Sequence, residues 1–268
     1  MPRNLDEFSK TIPKFNRIEK TPAYKKISDV LQKAIVQRHI KVGDALPTEG
    51  KLADQFGVNR STVREGIRHM EQIGFVRRQG KKLIVSRPSS ALVGDQMSQV
   101  LMLQDVTFLE LWEVKMGLEP LAAELAATKI TDNLIDRLQA NMDAMEIALA
   151  TNGDVVALDV EFHALVAEAA DNKALLMARE AVARLFYPAY QASMLNDTAG
   201  QRLLSAHGFI MDAIRNRDPE TARLWMKKHI VDFKRGHELA GRDVNKPVTD
   251  IVLEDILALW SRPLTMPE

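Results

Sequence analysis

The sequence predicts a mainly α-helical protein: an N-terminal winged helix-turn-helix followed by an antiparallel all-helical bundle. Three observations carry that expectation: apolar residues at helical spacing beyond residue 90, one pair of short strand-like runs near residue 80, and a reversal of charge between them. Residues 1–90 hold 19 Lys and Arg against 9 Asp and Glu, and residues 91–268 hold 17 against 27. A region of net +10 is thus joined to one of net −10, although the formal total is zero. The 268 residues suffice for two domains of ordinary size. With no cysteine, a disulfide framework, a thiolate nucleophile and a thiolate metal site are excluded, so a metal would need His, Asp or Glu. No secretory signal or stretch of membrane-spanning length is visible, so the expectation is a soluble cytoplasmic protein without a membrane partner.

Taken in order, residues 1–21 carry scattered cations and read as a basic arm. From Tyr24 to about Gln37, the positions Ile27, Val30, Leu31, Ala34 and Ile35 form one apolar stripe of a first helix. Thr48 is placed to cap a short second helix whose inner face is Leu52, Ala53 and Phe56 and which ends at Gly57. A third helix starts at Asn59 or Arg60, with Val63, Ile67, Met70 and Ile73 inward and Arg60, Ser61, Thr62, Arg64 and Arg68 at its start and outer side. Two short helices joined by a glycine-containing turn have the spacing that lets the second lie in a major groove. Phe75–Arg78 and Lys82–Val85, around the Gly80-Lys81 turn, make a basic two-stranded wing. Guanidinium groups suit bidentate contact with phosphate or guanine edges, hydroxyls suit phosphate oxygens, and a glycine turn lets backbone approach a duplex.

The string LPTEGKLADQFGVNRSTVREGIRHMEQIGFVRRQGKK resembles the winged-helix DNA-binding domain of GntR-family bacterial repressors, a likeness covering about residues 22–87. The resemblance implies that Arg60, Thr62 and Arg64 contact DNA and that Gly80 sits at the wing tip in the minor groove. The chain departs from the family pattern at two positions. Gly50 stands where an arginine is usual, and Gly66 replaces the usual alanine, a change worth about 1 kcal/mol of helix propensity.

The polar, Pro-containing run Ser86-Arg87-Pro88-Ser89-Ser90 lies where the charge reverses, which places a linker at 88–95. Helical periodicity then covers about 92–103, 107–128, 131–151, 154–170, 173–191, 199–216 and 219–240. Short connections between long amphipathic helices imply an antiparallel bundle over 96–240. The remaining 241–268 form an extension with a short helix at Ile251 to Trp260.

Asp159 and His163, four apart, project from one helical face together with Val155, Leu158, Phe162 and Val166. His207 and His229 each lie eleven residues from Asp218 at a hairpin turn, one before it and one after. At 1.5 Å per residue both sit about 16 Å from that turn, level in an antiparallel pair. Four donors can therefore converge from three helices. Their nitrogen and oxygen atoms suit a divalent ion among Zn, Ni, Mn, Co and Fe without selecting one. His39, His69 and His237 lack such company and read as surface or packing residues.

Residues 97–240 also resemble the FadR-type ligand-binding domain, the FCD class of GntR regulators. Leu118-Glu119, Asp159-Val160-Glu161-Phe162-His163, Asn172, His207 and Met226-Lys227-Lys228-His229-Ile230 carry the likeness. It implies that Asp159, His163, His207 and His229 ligate a metal, and that a small organic or sugar acid binds beside it near Lys115 and Asn172. Lys115 stands where an arginine is common, and offers a point charge in place of a bidentate fork. The function expected is a non-enzymatic, homodimeric repressor whose grip on a double-stranded operator responds to that acid. Two alternatives are a metal-dependent hydrolase or isomerase, for which no separate carboxylate can be placed beside the ion as base, and a structural-metal scaffold without effector.

Overall fold

A computed structural model of the chain describes residues 21–151, 153–191 and 197–250, with the side chains of 187–191, 197 and 198 left undescribed. The basic arm and the helix expected at Ile251 to Trp260 lie outside the described residues. The chain divides into two compact units between Pro88 and Ser89.

The first unit holds α1 (Ala23–Val36), α2 (Glu49–Phe56), α3 (Arg60–Gln72) and a hairpin of β1 (Val76–Gln79) and β2 (Lys82–Val85). The four-residue spacing of Ile27, Leu31 and Ile35 gives α1 one buried edge, which packs on Val63, Ile67 and Met70 of α3, all fully buried. The Thr48 side chain caps α2 by accepting from Lys51 N, and Gly57 ends the helix at φ +63°, a left-handed conformation that favours glycine. The departure at Gly66 now has a reason. A Cβ there would lie 3.0 Å from Tyr24 O and 3.2 Å from Ile27 Cγ2, so the glycine lets α1 and α3 approach closely. The hairpin pairs Val76 with Val85 and Gln79 with Lys82 in antiparallel register. It begins one residue later than the sequence suggests, because Phe75 N donates to Met70 O and so closes the end of α3.

The second unit is built of helices: α4 (Ser90–Leu103), α5 (Phe108–Lys129), α6 (Asp132–Thr151), α7 (Val155–Ala169), α8 (Lys173–Gln191), α9 (Asp197–Arg215) and α10 (Pro219–Leu239). Several starts are fixed by side-chain caps. Thr107 and Glu110 form a reciprocal capping box on α5, while Asp154 and Asp218 accept from Ala157 N and Thr221 N. Helix α5 is central and packs against α7, α8, α9 and α10. Its Ala122, Ala123, Ala126 and Ala127 are fully buried, small residues that admit neighbouring backbones. After α10 the chain returns to the start of α5, where Leu109 N donates to Val244 O and Val248 N to Val106 O.

Candidate functional site

In the first unit, α3 turns its apolar face to the core and leaves Arg60, Ser61, Arg64 and Arg68 exposed, with Thr62 half-buried. Together with the start of α2 and the wing it borders a groove of about 590 Å3, lined by Glu49, Arg60, Arg64, Arg78, Gly80 and Lys81 among others. Ser61, Thr62 and Arg68 are not part of that lining. Gly80, at φ +59°, makes the tight two-residue turn with Lys81. The space left by Gly50 is used. A Cβ there would come within 3.2–3.4 Å of the Arg60 guanidinium, which lies across the start of α2. Exposed guanidiniums along a helix, beside a hairpin with a glycine tip, are what a groove-reading surface needs.

In the second unit, Asp159 and His163 on α7, His207 on α9 and His229 on α10 offer four donor atoms that all lie within 4.8 Å of one another. All four side chains are buried. Glu119 of α5 orients one of them. Its Oε2 lies 3.0 Å from His163 Nδ1, and an ionised carboxylate only accepts, so Nδ1 carries the proton and Nε2 presents a lone pair inward. His163 Nε2 and His229 Nε2 face each other at 3.1 Å. His207 is held by stacking on Phe162, with ring centroids 3.8 Å apart and planes within 9°.

The donors fit a cation better than they fit each other. Asp159 Oδ1 lies 3.1 Å from His207 Nε2 without hydrogen-bond geometry, and that oxygen and both nitrogens of His207 have no hydrogen-bond partner. Buried polar atoms without partners are rare and call for an ion, a water or strain to explain them. Burial tends to raise the Asp159 pKa, but the facing His163, His207 and His229 hold the carboxyl far below the usual range. Burial, then repulsion from His207 and His163, pushes His229 well down, and burial lowers His207 despite Asp159. An ionised Asp159 beside His207 and His229, both biased toward the neutral form, suits a divalent ion.

A small cavity of about 20 Å3 opens beside the donors, lined by Lys115, Asp159, His163, Arg179, Phe186 and His229 among others. Lys115 Nζ lies 4.9 Å from the centre of the Phe186 ring. Burial lowers the Lys115 pKa, an effect that Glu119 and Asp159 oppose. Arg179, with only 3% of its side chain exposed, donates Nε to Glu119 Oε1 at 3.1 Å. Burial by itself would raise the pKa of Glu119, yet Arg179, His163 and Lys115 hold it well below the usual carboxylate range.

Comparison with known proteins agrees with both halves. Residues 23–84 match the bacterial regulatory proteins of the gntR family, and residues 110–232 match the FCD domain. The chain belongs to the GntR family and carries an FCD domain. A transcriptional repressor, NanR of Cronobacter sakazakii, is 29% identical over 78% of this chain and 84% of its own length. The Glc operon transcriptional activator of Escherichia coli is 26% identical over 88% of this chain and 92% of its own. A solved GntR structure from Streptococcus agalactiae superposes with a TM-score of 0.55 at 28% identity, covering 79% of this chain and 99% of that one. These relatives are regulators, and the chain is a DNA-binding transcriptional regulator and not an enzyme. No helix among the described residues is long and apolar enough to cross a membrane.

Within this GntR chain, the structure gathers Asp159, His163, His207 and His229 at one point and sets Lys115 beside them. Asn172 is not brought there. Its Oδ1 accepts from Leu175 N and caps α8, and it does not line the cavity. Two residues went unassigned at the level of sequence. Glu119 supplies the carboxylate that could not be placed beside the donors, although both its oxygens are engaged, and Arg179 supplies a guanidinium where only Lys115 was expected. Of the remaining histidines, His39 is exposed and His69 Nδ1 pairs with Ser28 Oγ at 2.8 Å. His237 is buried against Phe108, the two ring centroids 3.9 Å apart.

Proposed function

We propose that this regulator is a homodimeric, cytoplasmic repressor in which residues 22–87 hold the operator and residues 96–240 bind a divalent metal and a small carboxylate effector. Asp159, His163, His207 and His229 hold the metal, which supplies an electrophilic anchor for one carboxylate oxygen of the effector. The observation that carries this reading is the convergence of those four buried donors within 4.8 Å, with Asp159 Oδ1 and both His207 nitrogens lacking other partners.

The chain's own residues account for the preference for an acid. Lys115 contributes a charge with little solvent to compete for it, and Arg179, whose Nε is held by Glu119, turns toward the same cavity. The buried Glu119 carboxylate keeps both His163 and Arg179 oriented before any ligand arrives, which lowers the entropic penalty of binding. The cavity holds little more than a water molecule, so a compact acid fits only with movement of its walls. That movement is the link to operator affinity. On the DNA side, Arg60, Ser61, Thr62, Arg64 and Arg68 present the cationic face of α3, and Gly80 and Lys81 present the wing tip.

A thermal-shift screen of small organic and sugar acids, run on metal-loaded protein and repeated after chelation, tests the bundle half. At least one acid should raise the melting temperature by several degrees, and chelation should abolish the rise. Stabilisation that survives chelation would separate acid from metal. No stabilisation by any acid would leave the metal purely structural.

A further inference from the structure

The DNA-facing groove contains one carboxylate, and its placement runs against simple electrostatics. Glu49, the first residue of α2, lies among Arg60, Arg64, Arg78, Lys81 and Lys82, where every other charge would attract phosphate. Its side chain is only 21% exposed. It accepts from two elements at once: Arg64 Nε of α3 reaches Oε2 at 3.2 Å, and Arg78 Nη2 of β1 reaches Oε1 at 3.3 Å. Arg78 is steadied from its other edge, with Nε 2.9 Å from Glu71 Oε1 at the end of α3.

The atoms used are informative. Arg64 spends Nε on Glu49, and its two terminal nitrogens have no partner among the described residues, while its side chain remains 56% exposed. Those two nitrogens are the pair that meets the O6 and N7 acceptors of a guanine in a bidentate contact. An arginine free at every torsion would grip whichever phosphate came near. One anchored at Nε can offer its terminal edge in only a few directions, so less entropy is lost when the right base is met and less contact is made when it is not. Because the same carboxylate holds Arg78, the helix and the wing share one register.

We propose that Glu49 is a positioning residue for sequence discrimination: it tethers Arg64 and Arg78 together and weakens indiscriminate attraction to the phosphate backbone. It thereby exchanges raw affinity for specificity. The inference rests on the reading that α3 and the wing face DNA, and it adds a residue that need not touch DNA at all.

The test compares two duplexes: one selected by the unmodified protein from a random library, and a scrambled duplex of the same composition. Dissociation constants for both are measured by fluorescence anisotropy at a fixed salt concentration. Glu49→Gln keeps the size of the side chain and removes its charge. It should bind the scrambled duplex several-fold more tightly, while the ratio of selected to scrambled affinity falls by about tenfold. In an Arg64→Ala background the same change should move that ratio much less, since the residue acts through Arg64. A melting temperature close to that of the unmodified protein excludes a folding effect.

Parallel gains on both duplexes, with the ratio unchanged, would make Glu49 a mere electrostatic obstacle and overturn the proposal. Parallel losses with a lowered melting temperature would make it a structural residue and overturn it equally. If the unmodified protein prefers no sequence at all, the assignment of the groove to DNA fails first, and this inference with it.

Discussion

The candidate sites of the two units hold charge in opposite environments. In the first, ion pairs lie at the surface: the Arg64 and Arg78 side chains are 56% and 49% exposed, and each shares Glu49. In the second, the Glu119–Arg179 pair is 3% exposed on both sides and adjoins four buried donors. Exposed pairs are individually weak and screened by salt, so they orient side chains without fixing them, which suits a surface that must bind and release a polyanion. Buried charges are expensive to desolvate and persist only when each is matched, which suits the preorganised metal site proposed above. Solvent access thus separates the surface proposed to read DNA from the pocket proposed to sense a ligand.

Substitutions can break that contrast in order of size. Removing the buried carboxylate should have the largest effect. Glu119→Ala leaves Arg179 uncompensated and His163 without its orienting partner, and should destabilise the metal-free protein by about 3–5 kcal/mol in urea unfolding. A loss near that of a surface pair would mean that water reaches the site.

Acid should act next, and selectively on the bundle. His207 and His229 are held below the ordinary value of 6.5, and His237 is lowered to about 4, chiefly by burial and then by Arg242. Between the folded and unfolded pKa values the unfolded chain binds more protons, so stability of the metal-free protein is full above pH 6.5 and declines as pH falls toward 4. Asp159 and Glu119, with pKa values below their ordinary 3.8 and 4.5, add a further loss once pH drops below those values. Urea midpoints measured from pH 8 down to about 3 should follow that order. A flat profile would show that the histidines are solvated.

On the exposed side, Arg64→Ala should weaken binding to a selected operator by about 1–3 kcal/mol while leaving the melting temperature almost unchanged. Smallest of all is the control on the bundle surface. Arg137 and Glu168 approach to 2.7 Å but are 46% and 48% exposed, so Arg137→Ala should change stability by less than about 1 kcal/mol.

What the sequence reveals follows the range of the interactions involved. Asp159 and His163 are legible because four residues make one helical turn, and His207 with His229 because equal distances from the Asp218 turn place them level. The cap at Thr48, the hairpin turn at Asp218 and the wing turn at Gly80 are local signals of the same kind. Glu119 and Arg179 are not legible in this way. They are 60 residues apart, and their pairing depends on the lateral packing of α5 against α7 and α8, which periodicity does not encode. Asn172 shows the converse, since its place in a family-like string suggested a ligand contact where local chemistry needed a helix cap.

The most direct test of the link between the two units is operator affinity itself. Metal-loaded protein is titrated with its selected duplex in the presence of each of a panel of small carboxylic acids, and the series is repeated after chelation. The account predicts that at least one acid changes the dissociation constant by tenfold or more, within the range of about 5–150-fold typical of allosteric coupling, and that the change vanishes without metal. Operator affinity indifferent to every acid, or a response that persists in metal-free protein, would contradict it.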